Sequence, residues 1–263
     1  LSETQDVSKN AAPLLPYRVW RYALLLFITL ASLALVFSMA PFGQDPGYHD
    51  FGDRRAYFGI PNFFDVVSNL PFLLVGLAGI YLCIKINSPF FRVAWLVFFA
   101  GVTLVSAGSG YYHLNTTNET LVWDRLPMTI ALMGLLAALL AEYVNAWFGR
   151  LILLPTVLMG LSSVLYWHWY DDLRFYVWIQ FFPLLIIPFL MWLFQPGYTR
   201  QWLLAAALAC YVLAKLFEAC DHEVFTYTHG LLSGHSIKHL LAALGCLSVL
   251  AMLSTREVIR SAR

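Results

Sequence analysis

Residues 92–113 read RVAWLVFFAGVTLVSAGSGYYH. After one arginine come twenty residues without a charge, and the run closes on Ser109 and His113, four positions apart. A bilayer core of about 30 Å takes roughly 20 apolar residues in a helix. The stretch therefore reads as a transmembrane helix with a serine and a histidine on one face of its far end. Seven further stretches of similar length lie near 17–40, 66–86, 120–143, 150–168, 173–194, 201–220 and 235–255. The fifth and seventh spans in chain order, 150–168 and 201–220, are the shortest and carry polar residues, so their ends are the least sharply defined. Composition agrees: 60% of residues are hydrophobic, 12% are charged and the mean hydropathy is +0.69, beyond the range of a soluble domain. The expectation is an all-α polytopic bundle of about eight spans.

The cations set the orientation. Ten of the sixteen Lys and Arg residues, among them Lys9, Lys85, Arg92, Arg150, Arg260 and Arg263, fall on one side of the alternating loops. Arg54, Arg55, Arg125 and Arg174 fall on the other, and Lys215 and Lys238 lie inside spans. By the positive-inside rule both termini are cytoplasmic. The net charge of +1 gives no reason to expect nucleic acid. The first apolar run is long enough to cross the membrane and follows a polar segment, so it is expected to be a retained helix rather than a cleaved signal. The four cysteines, Cys83, Cys210, Cys220 and Cys246, show no CxxC spacing and read as packing residues. No internal repeat marks a transporter built from two halves. The longest connection, residues 41–65, is rich in Pro, Gly, Asp and aromatics and is expected to be ordered.

The chemistry collects at one depth. His235 and His239, again four apart, open the last span, and Asp124 lies one turn into the fourth. With Ser109 and His113 they all meet the extracytoplasmic boundary. Three imidazoles suit zinc and leave a fourth position for water. A carboxylate beside such a water is placed to take its proton and pass it to a leaving group, and Ser109 is placed to orient a ligand or support an oxyanion. Each motif alone has a plainer reading: HxxxH arises easily on a helix, and a membrane serine often bonds its own helix. Ionisable residues within apolar spans nonetheless are costly and mark function.

The order SxxxH, an aspartate eleven residues later and a C-terminal HxxxH resembles the alkaline ceramidase family, within the superfamily of membrane hydrolases that includes adiponectin receptors and Per1-like proteins. Pro61-Asn-Phe-Phe-Asp-Val-Val-Ser-Asn-Leu70 is similar to the opening of that family's first common helix, and Gly234-His-Ser-Ile-Lys-His239 to its last. The resemblance covers roughly residues 50–255. It implies zinc on His113, His235 and His239, acid and base catalysis by Asp124, support from Ser109, and hydrolysis of the ceramide amide to a fatty acid and a sphingoid base. It divides the chain into a cytoplasmic tail (1–16), an extra N-terminal span (17–40), an extracytoplasmic segment (41–65), a seven-helix hydrolase core (66–255) and a C-terminal tail (256–263). The extra span departs from the family's seven. The family's calcium-binding acidic segment has its counterpart in Asp50, Asp53, Asn62 and Asp65, although Arg54 and Arg55 among them oppose a cation that wants several oxygen ligands. The membrane expected is the plasma membrane of a bacterium, or the endoplasmic reticulum or Golgi otherwise. Two alternatives stay open: a zinc hydrolase of ester lipids, and a receptor or transporter using the histidines structurally.

Other polar groups have plainer expectations. Asp221, His222 and Glu223 read as a solvated loop rather than a second metal site, and Lys215 and Glu218 as a structural pair within the bundle. His168, within Tyr166-Trp-His-Trp-Tyr170, belongs to an interfacial aromatic belt. His49 and His229 read as ordinary loop residues. Asn115 and Asn118 match the glycosylation pattern but read as turn formers.

Overall fold

Each apolar run becomes a helix. A computed structural model describes residues 16–85, 89–195 and 197–259; the outer parts of both expected tails, 1–15 and 260–263, lie outside the described residues. The helices are α1 (Pro16–Ser38), α2 (Phe63–Val67), α3 (Leu70–Ile84), α4 (Pro89–Leu114), α5 (Asn118–Tyr143), α6 (Ala146–Tyr170), α7 (Arg174–Leu193), α8 (Trp202–Ala219), α9 (Asp221–Tyr227) and α10 (Gly234–Thr255). Among the described residues, eight helices are long and apolar enough to cross a membrane, α2 and α3 together making the second. That span is broken at Ser68-Asn69, just ahead of Pro71 near the start of α3, which has no amide hydrogen to give to the Val67 carbonyl. Residues 221–227 form the short helix α9, not the expected loop.

Helices α3, α4, α5 and α6 pack in succession, α8 lies against α10, and α10 returns to α3. In lipid there is little hydrophobic drive between helices, so close backbone approach matters more. One approach positions the site. Pro127 within α5 cannot donate to the Trp123 carbonyl, and that carbonyl abuts Gly108 of α4, where a Cβ would collide with it. The freed acceptor and the missing side chain therefore let α4 and α5 close beside Ser109 and Asp124.

Helix α1 stands apart. It packs on α7, and none of its described side chains is buried. Its tethers are Ser32 Oγ, which accepts from Trp178 Nε1 at 3.1 Å, and the Phe37 and Met39 carbonyls, which accept from Arg174 at 3.3 and 2.9 Å. Asp172 in turn holds Arg174 (2.8 Å), and that guanidinium keeps the Asp172 carboxyl below its ordinary range.

Candidate metal centre

The last turn of α4 and the first two turns of α10 bring His113, His235 and His239 together, all buried, with one ring nitrogen of each within 4.8 Å of the others. His113 Nε2 and His235 Nε2 are 3.3 Å apart. Two nitrogens bound to one tetrahedral zinc at 2.0–2.1 Å would be separated by about 3.3 Å. With both rings protonated on Nδ1 the two Nε2 lone pairs face one another, an arrangement that fits a shared cation.

The protonation of His239 follows from its neighbours. Ser68 Oγ donates to the Asp65 carbonyl at 3.0 Å, which leaves it to accept from His239 Nδ1–H at 2.8 Å. His239 Nε2 then carries the free lone pair, the tautomer a metal ligand needs. His235 is fixed through its backbone, whose amide donates to Asp221 Oδ1 at 2.7 Å. The second oxygen of Asp221 accepts from the Gly52 amide at 2.8 Å. Asp221 is thus buried and ties the 41–62 segment to the start of α10, whereas His222 and Glu223 are exposed as expected. His113 Nδ1 has no hydrogen-bond partner, and Asn62 donates to the His113 carbonyl at 2.9 Å, capping α4. Phe51 covers the cluster edge-on, its ring centroid 4.4 Å from that of His235 and 5.0 Å from that of His113.

Asp124 and Ser109 are buried beside it, the Ser109 hydroxyl lying near the Asp124 carboxyl. With His239 they line a cavity of about 310 Å³ that continues along α10 to Val249 and along α5 to Leu135. Eleven helical residues rise about 16 Å, so the cavity runs from the boundary toward the middle of the bilayer. Its walls, including Phe72, Phe98, Leu132 and Leu204, are apolar.

A charged group missed by sequence reading completes the polar end. Lys238 Nζ lies 2.9 Å from His235 Nε2 and 3.1 Å from Glu218 Oε1, while Lys215 pairs with the other oxygen of Glu218. The pairing of Lys215 with Glu218 was expected; its extension to His235 was not. A metal on His235 would take the lone pair that Lys238 now engages, and Glu218 remains to hold the displaced ammonium.

The four residues considered for calcium are not brought together as a ligand cluster; among the described residues the three histidines form the sole such group. Asp53 makes a two-point pair with Arg55 (2.7 and 2.8 Å), Asp50 pairs with Arg54, and the Asn62 amide is on His113. Asp65 accepts from Ser236 Oγ at 2.7 Å within the support beneath α10. His49 is no ordinary loop residue: its ring nitrogens meet Tyr112 Oη at 2.7 Å and Asn118 Oδ1 at 3.0 Å, so it pins the segment that carries Phe51. Trp167 leaves the expected aromatic belt and is buried, whereas His168, Trp169 and Tyr170 are exposed at the helix end. Asp65, Ser68 and Asn69 repeat at three- and four-residue spacing within an apolar run, and that pattern was the signal for the support of His239.

No protein-family model matches the chain, and no curated protein matches it.

Proposed function

We propose that the chain is a zinc-dependent lipid amidase, hydrolysing ceramide to a fatty acid and a sphingoid base. One observation carries this reading: the three-histidine cluster shares, through His239, a membrane-deep apolar cavity with the buried Asp124–Ser109 pair. Zinc, when bound, would polarise the amide carbonyl and make water acidic enough to lose a proton near neutral pH. Asp124 accepts that proton as the water oxygen bonds to the carbonyl carbon. It returns the proton to the amide nitrogen as the carbon–nitrogen bond breaks, so one residue serves both halves of the reaction. Ser109 holds the carboxylate in place, and the cavity takes an acyl chain along its length. Phe51 keeps bulk water from the outer face. With the cationic loops cytoplasmic, the chemistry lies near the extracytoplasmic surface.

The test is hydrolysis of a panel of ceramides and phospholipids by detergent-purified protein, wild type against Asp124→Asn, with metal measured on the same samples. Amide cleavage by the wild type alone, with zinc in both, is the expected result. Zinc with ester but no amide cleavage would move the protein to the ester-lipid class. Absence of both zinc and turnover would leave a receptor.

A further inference from the structure

The cavity beneath the histidines ends at one level on four helices. On α4 its last lining residue is Phe98, eleven positions from Ser109; on α5 it is Leu135, eleven from Asp124; on α10 it is Val249, ten from His239. At about 1.5 Å per residue, all three descents come to about 15 to 16 Å. Helix α8 runs antiparallel to α10 with Ala207 facing Gly245, which sets Leu204, its last lining residue, level with Val249. A gap left by poor packing would end raggedly, whereas a shared depth counted from three residues of the site marks a chamber of defined length.

The layer that closes it is equally regular. One turn further along the same stripes stand Trp95 on α4, Leu139 on α5, Leu190 on α7 (after the lining residue Ile187) and Met252 on α10, each at most 1% exposed and none of them on the cavity lining. Beneath them the Glu142 carboxylate accepts from Trp95 Nε1 and from Arg256, both at 2.8 Å, so α4, α5 and the end of α10 are tied together. Tyr143 donates to Gln201 Oε1 at 2.6 Å and ties α5 to the start of α8. Parting Glu142 from its cation would leave a buried charge unpaired, so the layer above it is held at a fixed depth.

An extended hydrocarbon chain, with carbon–carbon bonds of about 1.5 Å, advances about 1.3 Å per carbon, so a depth of about 16 Å holds about 12 carbons. Building on the amidase reading, we propose that Trp95, Leu139, Leu190 and Met252 form a floor that measures the N-acyl chain, and that the preferred ceramides carry acyl chains of about 12 to 14 carbons. The scissile carbonyl then sits among Asp124, Ser109 and the histidines while the chain end meets the floor. A methylene beyond that depth has no apolar wall left to fill, and one methylene too many in a hydrophobic pocket is discriminated by about tenfold or more.

A ceramide series on one sphingoid base, with octanoyl, decanoyl, lauroyl, myristoyl, palmitoyl and stearoyl chains, reads the ruler. With detergent-purified wild type, kcat/KM is expected to peak at lauroyl or myristoyl and to fall at least tenfold by stearoyl. Leu139→Ala and Met252→Ala lower the floor and move the peak to palmitoyl or beyond. Val249→Phe places its added ring in the cavity, above the floor, and moves the peak to decanoyl or shorter; it leaves the layer beneath intact and so serves where the alanine variants do not fold. Equal turnover of all lengths by wild type overturns the proposal, as does a peak that stays in place in Val249→Phe or in a folded Leu139→Ala protein. A limit that follows the sphingoid chain, in the reciprocal series with one acyl chain, also overturns it. Binding of the same ceramides to Asp124→Asn, followed by quenching of tryptophan fluorescence, separates the two readings. A length limit in binding with no hydrolysis by wild type retains the floor and removes the amidase; hydrolysis without a length limit does the reverse.

Discussion

Replacing Ser68 by alanine tests the logic of the metal centre at a residue that would touch neither metal nor substrate. The Ser68 hydroxyl accepts from His239 Nδ1–H at 2.8 Å because its own proton is committed to the Asp65 carbonyl at 3.0 Å. Once it is removed, the Asn69 amide nitrogen at 3.5 Å from Nδ1 is itself a donor, and the Asp65 carbonyl that Ser68 engages is the acceptor that remains near the ring. The buried N–H then loses its 2.8 Å acceptor and has only that carbonyl to reach for; left unsatisfied it would cost about 1 to 3 kcal/mol. The imidazole can escape that cost by moving its proton to Nε2, which surrenders the lone pair a metal requires. Loss of such a support typically weakens metal binding by about 10- to 100-fold. Zinc affinity of detergent-purified protein, measured by competition with a chromophoric chelator, should fall in that range for Ser68→Ala. It should be unchanged for Ser248→Ala, whose hydroxyl bonds the Leu244 carbonyl of its own helix at 3.0 Å. Wild-type zinc affinity in a folded Ser68→Ala protein would refute the role of Ser68 in holding that tautomer.

Three further outcomes follow from packing and charge. Gly108→Ala drives a methyl into the Trp123 carbonyl and pushes α4 from α5; overpacking costs about 1 to 3 kcal/mol, so the thermal midpoint in detergent drops and lipid turnover drops with it as Ser109 parts from Asp124. Arg256→Met strands the buried Glu142 carboxylate, which otherwise accepts from Arg256 and from Trp95 Nε1, both at 2.8 Å; the loss is about 3 to 5 kcal/mol, and Arg256→Met combined with Glu142→Leu recovers most of it in the same unfolding assay. Because Arg174 depresses the Asp172 carboxyl, the ion pair's stabilisation is complete above the ordinary carboxylate value of about 3.9 and is lost as pH falls through the lower folded value; acid titration of the thermal midpoint should show that loss in wild type and not in Asp172→Asn.

Apolar run length fixed the eight crossings within a few residues because each had to span a bilayer, a one-dimensional requirement that sequence displays directly. The i, i+4 spacing at His235 and His239, taken with shared depth, located the histidine cluster for the same reason. What stayed hidden depends on which helix faces which. Lys238 follows His235 by three residues, yet its role depends on Glu218 arriving from α8. Asp221 looked like part of a solvated loop because nothing local says that the amide of Gly52, 169 positions away, will meet it. His49 and Phe51 belong to a connection with no periodicity, where side-chain direction is unreadable. Arg125 was visible as a neighbour of Asp124, but the rings of Trp167 and Tyr176 that cage its guanidinium arrive from α6 and α7.

Helix α1 has a consequence of parity. Eight crossings would leave the residues just ahead of α1 and those just after α10 on one face of the membrane, whereas the seven crossings from α2 to α10 would run from one face to the other. Helix α1 lines neither the cavity nor the histidine cluster and touches the bundle from outside, so the residues of the site are carried without it. Trp178 would then meet lipid tails as apolar as the helix it lost. The added span therefore changes the side on which the chain enters the bundle while leaving the residues of the cavity and the histidine cluster untouched.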